Sequence, residues 1–185
     1  MAAVVDMVGT LAKPYDLLLG RKTYDIFAGY WPKVPADNRI GPVFTKAHKY
    51  VLTSGSAKLE WANSHKLRNI DDLRKVKAGQ GTDIVLWGSS TLYPQLLEAN
   101  LIDRLLLLTC PIVLGKGKRL FGSTSHQVAL KLMKSEVTST GVIIATYEQT
   151  PTQNEEKNHE IRLFGIHQGR NIRRHDRGRA TRGAR

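Results

Sequence analysis

Short apolar runs alternate with helix-like stretches through most of the first 150 residues, and this alternation constrains the fold more than any other feature. The apolar runs predicted to be buried strands are Tyr15–Leu19, Lys49–Thr53, Ile84–Trp87 and Arg104–Thr109. The helix-like stretches are Ala2–Ala12, Thr23–Ala28, Asn69–Ala78 and Leu92–Ala99. Strands alternating with helices predict an α/β fold in which helices cover both faces of a mostly parallel sheet, a three-layer αβα sandwich.

The end of this region changes to a strand–turn–strand pattern. Leu130–Val137 and Val142–Glu148 flank the turn Thr138–Gly141, and together they predict an antiparallel hairpin at one edge of the sheet. Pro111–Phe121, which comes before the hairpin, is predicted to be extended because glycine interrupts it repeatedly.

The composition changes near Thr150. Pro151–His159 is polar and has no period, which indicates a linker. Glu160–Ile166 has enough apolar content for one short element at most. Gly169–Arg185 carries seven arginines against one acid and cannot bury enough apolar surface to fold alone. We therefore predict one domain over residues 1–150, followed by a polar linker and a disordered arginine-rich tail over residues 151–185.

The chain carries a formal net charge of +12, which favours polyanionic partners. The tail could attach to nucleic acid electrostatically, but it lacks the aromatic residues that stack on bases. Its abrupt composition fits a non-functional extension better, and we favour that interpretation.

Other classes of protein are disfavoured by simple counts. The apolar runs are too short to cross a bilayer, and the first residues do not resemble a secretory signal, so we expect a cytoplasmic protein without membrane contacts. The single cysteine, Cys110, excludes an internal disulfide and is predicted to be inert. None of the six histidines has the spacing of a zinc site, so no metal site is predicted.

Three loops follow predicted strands and share small, polar residues: Gly20–Thr23, Thr53–Ser56 and Gly88–Thr91. Backbone N–H groups, hydroxyls and helix N-termini in such loops can bind an anion, and Arg21 and Lys22 add positive charge beside the first loop. One loop of this kind has a structural explanation in any α/β protein. Three in one domain indicate a ligand with several phosphates, although none is a Walker A or Gly-x-Gly-x-x-Gly motif.

The residues around these loops resemble those of the dihydrofolate reductase-like superfamily. Asp16–Tyr24 (DLLLGRKTY), Tyr50–Ser54 (YVLTS) and Ile84–Tyr93 (IVLWGSSTLY) are similar to its cofactor-binding strands and turns. Pro111–Phe121 and Leu132–Tyr147 resemble segments of one branch, the reductase domain of the bacterial bifunctional riboflavin-biosynthesis deaminase–reductase. The resemblance spans roughly residues 4–150 in consistent order.

This resemblance implies a reductase that uses NADPH, reduces a small heterocyclic substrate and forms a homodimer. By position it places Arg21 and Thr23 at the pyrophosphate, with Gly20 and Lys22 also in the cofactor site, and Thr53 and Ser54 near the adenosine 2′-phosphate. It places Gly88, Ser89, Ser90, Thr91 and Leu92 around the other side of the pyrophosphate. The Thr53–Ser56 loop contains no acid, which suits NADP over NAD. The family's Gly-Gly pair is Gly88-Ser89 here.

The resemblance begins at the family's first helix, so its opening strand, with the loop that floors the substrate pocket, has no counterpart at the start of this chain. We therefore predict no catalytic residue. A sheet lacking a central strand exposes unpaired edges. Besides an active reductase, the sequence thus leaves open an inactive nucleotide-binding remnant and a nucleic-acid-binding protein.

Overall fold

The computed structural model describes residues 14–113, 115–117, 120–121 and 127–150, together with the backbone of residues 163–168. The predicted helix Ala2–Ala12 lies outside these residues, as do most of the linker and the arginine-rich tail. The helices are α1 (Arg21–Tyr30), α2 (Gly41–Lys46), α3 (Ile70–Lys77) and α4 (Tyr93–Glu98), with a 3₁₀ turn at Trp31–Lys33. The strands are β1 (Tyr15–Gly20), β2 (Lys49–Leu52), β3 (Ser64–Leu67), β4 (Asp83–Trp87), β5 (Arg104–Thr109), β6 (Leu130–Val137), β7 (Ile143–Gln149) and β8 (Leu163–Gln168).

All eight strands form one sheet in the order β3-β2-β1-β4-β8-β5-β7-β6. The six strands from β3 to β5 run parallel to their neighbours, whereas β7 and β6 are antiparallel and close one edge. This architecture confirms the predicted α/β fold with a mostly parallel sheet and an antiparallel hairpin. Because the parallel strands point the same way, the loops after β1, β2 and β4 meet at one edge, where ligands bind in such folds.

The middle of the sheet is occupied by β8, a strand from the far end of the chain. Its backbone pairs with β4 and β5 on its two sides, so that Gly165 lies opposite Leu86 and Leu105. Strand β8 overlaps Glu160–Ile166, the segment for which one short element at most was predicted, and residues 163–168 belong to the sheet rather than to a linker or tail. Sequence analysis missed this position because a six-residue strand has little local signal, whereas two unpaired neighbours offer it a full set of backbone hydrogen bonds.

Apolar residues on alternate positions of the strands build a core on each face of the sheet. On one face, α1 and α2 cover side chains that include Leu17, Leu19 and Val85. On the other, α3 and α4 cover side chains that include Leu18, Ile84 and Leu86. The period of two that sends neighbouring residues to opposite faces thus produces the three layers.

Two elements, α2 and β3, are absent from the sequence-based prediction. Helix α2 has only six residues and begins with Gly41-Pro42, a pair that normally indicates a turn, although proline suits the first turn of a helix. Strand β3 reads Ser-His-Lys-Leu and is mostly polar because it lies at the open edge of the sheet. None of the helices among the described residues is long and apolar enough to cross a membrane.

A buried lysine links α2 to β2 and to the loop before β3. Lys49 is fully buried, and its ammonium group donates hydrogen bonds to the carbonyl oxygens of Thr45 at 2.8 Å and Ala62 at 3.0 Å. The same group lies 4.3 Å from the centre of the Trp61 ring. Burial lowers the pKa of Lys49 to about 8, and the negative charge of Asp16 opposes this shift.

Candidate functional site

The turns after β1 and β4 are joined by the hydroxyl group of Ser89. The backbone N–H of Gly20 donates a hydrogen bond to Ser89 Oγ at 2.7 Å, and Ser89 Oγ lies 3.0 Å from Thr23 Oγ1. Gly20 ends β1, Thr23 lies in the first turn of α1, and Ser89 follows β4. Residues from two of the predicted loops, Gly20–Thr23 and Gly88–Thr91, therefore meet at the carboxyl edge of the sheet.

The backbone at this junction requires small residues. Gly88 and Ser89 both have left-handed conformations, with φ of +61° and +50°. A Cβ atom on Gly20 would lie 3.1 Å from Ser89 Oγ, and one on Gly88 would lie 3.4 Å from Thr23 Cγ2. A non-glycine residue in the left-handed region costs about 1–2 kcal/mol, so Ser89 is held there by its hydrogen bonds. All peptide bonds among the described residues are trans, and this holds for the bond between Gly88 and Ser89.

The loop after β2 has two cations fixed beside it. Lys66, on the neighbouring strand β3, donates to the carbonyl oxygens of Gly55 at 2.9 Å and Ser56 at 3.2 Å. Arg21 donates through Nη1 to the carbonyl oxygen of Ala57 at 3.2 Å. Within this loop, the Gly55 N–H donates a hydrogen bond to Thr53 Oγ1 at 3.1 Å and so closes a tight turn.

Arg21 connects the first loop to the second. Its Nε donates to both carboxylate oxygens of Asp25, at 2.9 and 3.1 Å, and this hydrogen bonding raises the pKa of the guanidinium group. Since a guanidinium group has five N–H donors, these contacts leave donors of Arg21 for a ligand. Arg21 thus lies beside the loop that the resemblance assigns to the 2′-phosphate, as well as next to Gly20 in the turn assigned to the pyrophosphate.

The other residues predicted to bind the cofactor differ in how far they are exposed to solvent. Lys22, Ser54 and Thr91 are exposed, and Ser90 is half-buried. Leu92 is buried against the core, and its N–H already donates to the carbonyl oxygen of Ser89 at 2.8 Å. Leu92 therefore stabilises the turn, while the polar residues before it remain accessible.

Sequence reasoning missed Lys66 at this site. Its side chain reaches the second loop because β3 pairs with β2 in parallel, with Lys66 opposite Val51. No motif identifies Lys66, and the only available signal was the adjacency of β3 to β2, which required β3 itself to be recognised.

The arrangement offers hydroxyls, two cations and close backbone approach, but few groups for acid–base or metal chemistry. In the described part of the chain, no group of three or more His, Cys, Asp or Glu residues could hold a metal ion. The site is suited to holding an elongated anion along the sheet edge, with reaction chemistry supplied by the bound molecule.

Comparison with known proteins identifies the family of this chain. Residues 10–144 match the family model described as the RibD C-terminal domain. The chain belongs to the RibD C-terminal domain family. Its fold is accordingly that of the dihydrofolate reductase-like reductases, as the resemblance implies. Membership in the RibD family supports a riboflavin-pathway reductase-like function and an oxidoreductase class. Strand β8 lies beyond the matched residues.

Individual relatives cover most of the matched region. The uncharacterized protein YyaP of Bacillus subtilis (strain 168) is 29% identical over 135 residues, which are 71% of this chain and 72% of YyaP. A structure of a putative riboflavin biosynthesis protein from Shewanella sp. PV-4 superposes with a TM-score of 0.61 at 21% identity, covering 78% of each chain. RibD of Acinetobacter baumannii superposes with a TM-score of 0.51 at 14% identity, covering 73% of this chain and 47% of that one. These two structures share the fold, and this chain spans about half of the Acinetobacter protein.

Proposed function

We propose that this chain is an NADPH-dependent reductase that reduces a small heterocyclic substrate, as the reductases of the riboflavin pathway do. The single observation that supports the proposal is the hydrogen-bonded junction of Gly20, Thr23 and Ser89 in a chain of the RibD C-terminal domain family. This junction joins two turns of a kind that can bind phosphate, at the edge of the sheet where ligands bind in such folds. NADPH, when bound, supplies the hydride. The residues of the chain hold the cofactor and orient it.

The residues present fit an elongated dinucleotide. Added Cβ atoms on Gly20 and Gly88 would come within 3.1 and 3.4 Å of neighbouring side chains, so the glycines preserve the tight packing of the two turns. We assign the turn residues Gly20, Thr23, Gly88, Ser89 and Ser90 to the pyrophosphate.

The second loop supports the choice of NADPH over NADH. Thr53 and Ser54 supply hydroxyls, Arg21 and Lys66 supply positive charge, and no acid lies between residues 53 and 58. A 2′-phosphate needs such donors, whereas a free ribose 2′-hydroxyl is normally held by a carboxylate. We therefore assign the 2′-phosphate to this loop and extend the predicted site to Lys66.

The position of β8 favours the reductase over an inactive remnant. Strand β8 pairs with β4 on one side and with β5 on the other. The parallel part of the sheet is thus continuous beneath the proposed cofactor site.

The test is a fluorescence titration of the full chain with NADPH and with NADH. A hydrogen bond to a charged group contributes about 1.5–3 kcal/mol, so Lys66→Gln should weaken NADPH binding about tenfold and leave NADH binding nearly unchanged, whereas Arg21→Gln, beside the pyrophosphate turn, should weaken the binding of both cofactors. Lys46→Gln, which removes an exposed cation from the end of α2, is the matched control. The proposal fails if NADPH does not bind saturably to the folded full chain.

The edge strand β6 supports the homodimer that the resemblance implies. Leu132 and Val137 on β6 are 51% and 71% exposed. A sheet edge that carries exposed apolar side chains can be covered by the same edge of a second copy, which gives a two-fold interface.

Analytical ultracentrifugation tests the dimer. The wild-type chain should sediment as a dimer at micromolar concentration, and Val137→Asp should produce monomers. Thr140→Asp, at the exposed hairpin turn, should leave the dimer intact. A monomeric wild-type chain would refute the dimer without affecting the reductase proposal.

A further inference from the structure

Two histidine side chains meet at the amino edge of the parallel part of the sheet. His48 directly precedes β2, and His65 lies in β3, the strand that pairs with β2 in parallel. The ring atoms His48 Nδ1 and His65 Nε2 are 2.9 Å apart. Both side chains are exposed, so an ion can reach the two nitrogens from solvent.

The backbone that carries His48 is fixed by two hydrogen bonds to β1. The His48 N–H donates to Asp16 Oδ1 at 2.8 Å, and the His48 carbonyl oxygen accepts from the Leu17 N–H, also at 2.8 Å. Asp16 is a buried residue of β1. The backbone of His48 is therefore held by a buried strand, although its ring is at the surface.

The half-buried ring of Tyr50 lies beside both imidazoles. Its centre is 6.4 Å from the centre of the His48 ring, with 26° between the ring planes, and 5.5 Å from the centre of the His65 ring, with 31°. Tyr50 itself packs against the hydrophobic core. The three rings restrict one another, so the imidazoles have less freedom to lose when they bind an ion.

The separation of the two nitrogens matches a metal ion whose ligands lie at right angles. An imidazole nitrogen lies about 2.0–2.1 Å from a bound transition ion, so two nitrogens 2.9 Å apart subtend about 90° at that ion. A tetrahedral ion would hold the same nitrogens about 3.3 Å apart. Square-planar or tetragonal coordination with nitrogen ligands is typical of Cu²⁺ and Ni²⁺, whereas Mg²⁺ and Ca²⁺ prefer oxygen ligands.

We propose that His48 and His65 together bind a divalent transition ion with right-angled coordination, Ni²⁺ or Cu²⁺, with water at its other positions. Without an ion, the two rings can share one N–H···N hydrogen bond. With an ion, each ring carries its proton on the nitrogen that faces away, so both facing nitrogens use their lone pairs as ligands. The two histidines are 17 residues apart, which is why their spacing along the chain does not indicate the site.

An ion at this position would connect two strands and stabilise the fold. Strand β3 lies at the end of the strand order, and the ion adds a second link between it and β2 beside their backbone pairing. A ligand that binds the folded chain better than the unfolded chain raises the stability by mass action.

The histidine site is separate from the proposed cofactor site. Four residues of β1 lie between Asp16, which holds His48, and Gly20 at the other end of the strand, a distance of about 13 Å. The inference therefore does not depend on NADPH binding, and either site can fail its test alone.

The probe is Ni²⁺ alone, added to the full chain in a buffer without chelators, and the control ion is Mg²⁺. Ni²⁺ is preferred to Cu²⁺ because Cu²⁺ can oxidise the free thiol of Cys110. Isothermal titration calorimetry measures the affinity, and the Tm measures the stabilisation. His48→Asn and His65→Asn each remove one ligand, and His126→Asn, which removes a histidine elsewhere in the chain, is the matched control.

Ni²⁺ should bind saturably to the wild-type chain and raise its Tm, whereas Mg²⁺ should do neither. His48→Asn and His65→Asn should each weaken Ni²⁺ binding by about tenfold or more, while His126→Asn should keep it. The double variant should lose little beyond either single variant, because the two rings act as one chelate. The inference is overturned if Ni²⁺ does not bind saturably to the wild-type chain. It is also overturned if both single variants, shown to be folded by circular dichroism, bind Ni²⁺ as tightly as the wild type.

Discussion

Replacing Ser89 by alanine tests the junction on which the proposed cofactor site depends. The substitution removes the acceptor of the Gly20 N–H and the neighbour of Thr23 Oγ1, without altering the volume of the turn greatly. It also leaves a residue with a Cβ atom in the left-handed conformation that Ser89 adopts at φ +50°. The backbone strain therefore persists while the bonds that offset it are lost.

The expected magnitude follows from the partners left behind. An unpaired polar group out of contact with water costs about 1–3 kcal/mol. Gly20 is half-buried, so some solvent can reach its N–H, and we expect the lower half of that range. Ser89→Ala should thus lower the free energy of unfolding by about 1–2 kcal/mol and weaken NADPH binding by about tenfold.

Urea denaturation of the full chain, followed by tryptophan fluorescence, measures the loss of stability. Ser90→Ala is the matched control, because Ser90 is the next residue, is half-buried and has no hydrogen-bond partner among the described residues. Thr23→Val should fall between the two, since it removes one of the three hydrogen bonds of Ser89 Oγ. If Ser89→Ala and Ser90→Ala unfold within about 0.5 kcal/mol of each other, Ser89 does not hold the turns together.

Three further predictions concern the parts of the fold that surround the site. Burial lowers the pKa of Lys49 from 10.5 to about 8, so between these pH values the unfolded chain binds more protons than the folded chain. The free energy of unfolding of the protein should therefore rise by about 2 kcal/mol from pH 8 to 9.5. Lys49→Met should remove this rise in urea titrations, and an unchanged pH profile would contradict the assignment. Gly41→Ala should destabilise the chain by about 1–3 kcal/mol in the same assay through its contact with Val34. Val34→Ala should restore most of that loss, and no rescue would mean that the two positions do not clash. Gly165→Pro should abolish cooperative unfolding, because proline removes a backbone donor from a strand paired on both sides, whereas Ala180→Pro beyond the strand should not. Equal unfolding curves for these two variants would show that β8 is not needed for the sheet.

Local sequence patterns determined most of the secondary structure. Strand β5 and strand β6 have the predicted bounds, because apolar or alternating runs bounded by polar residues leave little ambiguity. Helix α3 begins after Asn69, whose side chain accepts a hydrogen bond from the Asp72 N–H, as expected from the helix-start residues there. Helix α1 begins at Arg21, two residues before its predicted start, since nothing after Gly20 interrupts the helix.

The tertiary structure decided which loops meet and which strand completes the sheet. The sequence supplied the small and polar residues of each loop, but only the order of β2, β1 and β4 brings Gly20 and Ser89, 69 residues apart, within hydrogen-bonding distance. Lys66 reaches the second loop because β3 pairs with β2, and no spacing along the chain encodes that contact.

Strand β8 is the clearest example of a feature that the local sequence does not predict. Its residues carry a weak local signal, and its place follows from the unpaired backbone groups of β4 and β5, which lie far away in sequence. Local propensities determine which residues can form strands or helices. The position of a strand in the sheet is determined by the need to pair every buried backbone N–H and carbonyl group. That requirement acts only once the rest of the sheet is assembled, so it is visible in the folded structure alone.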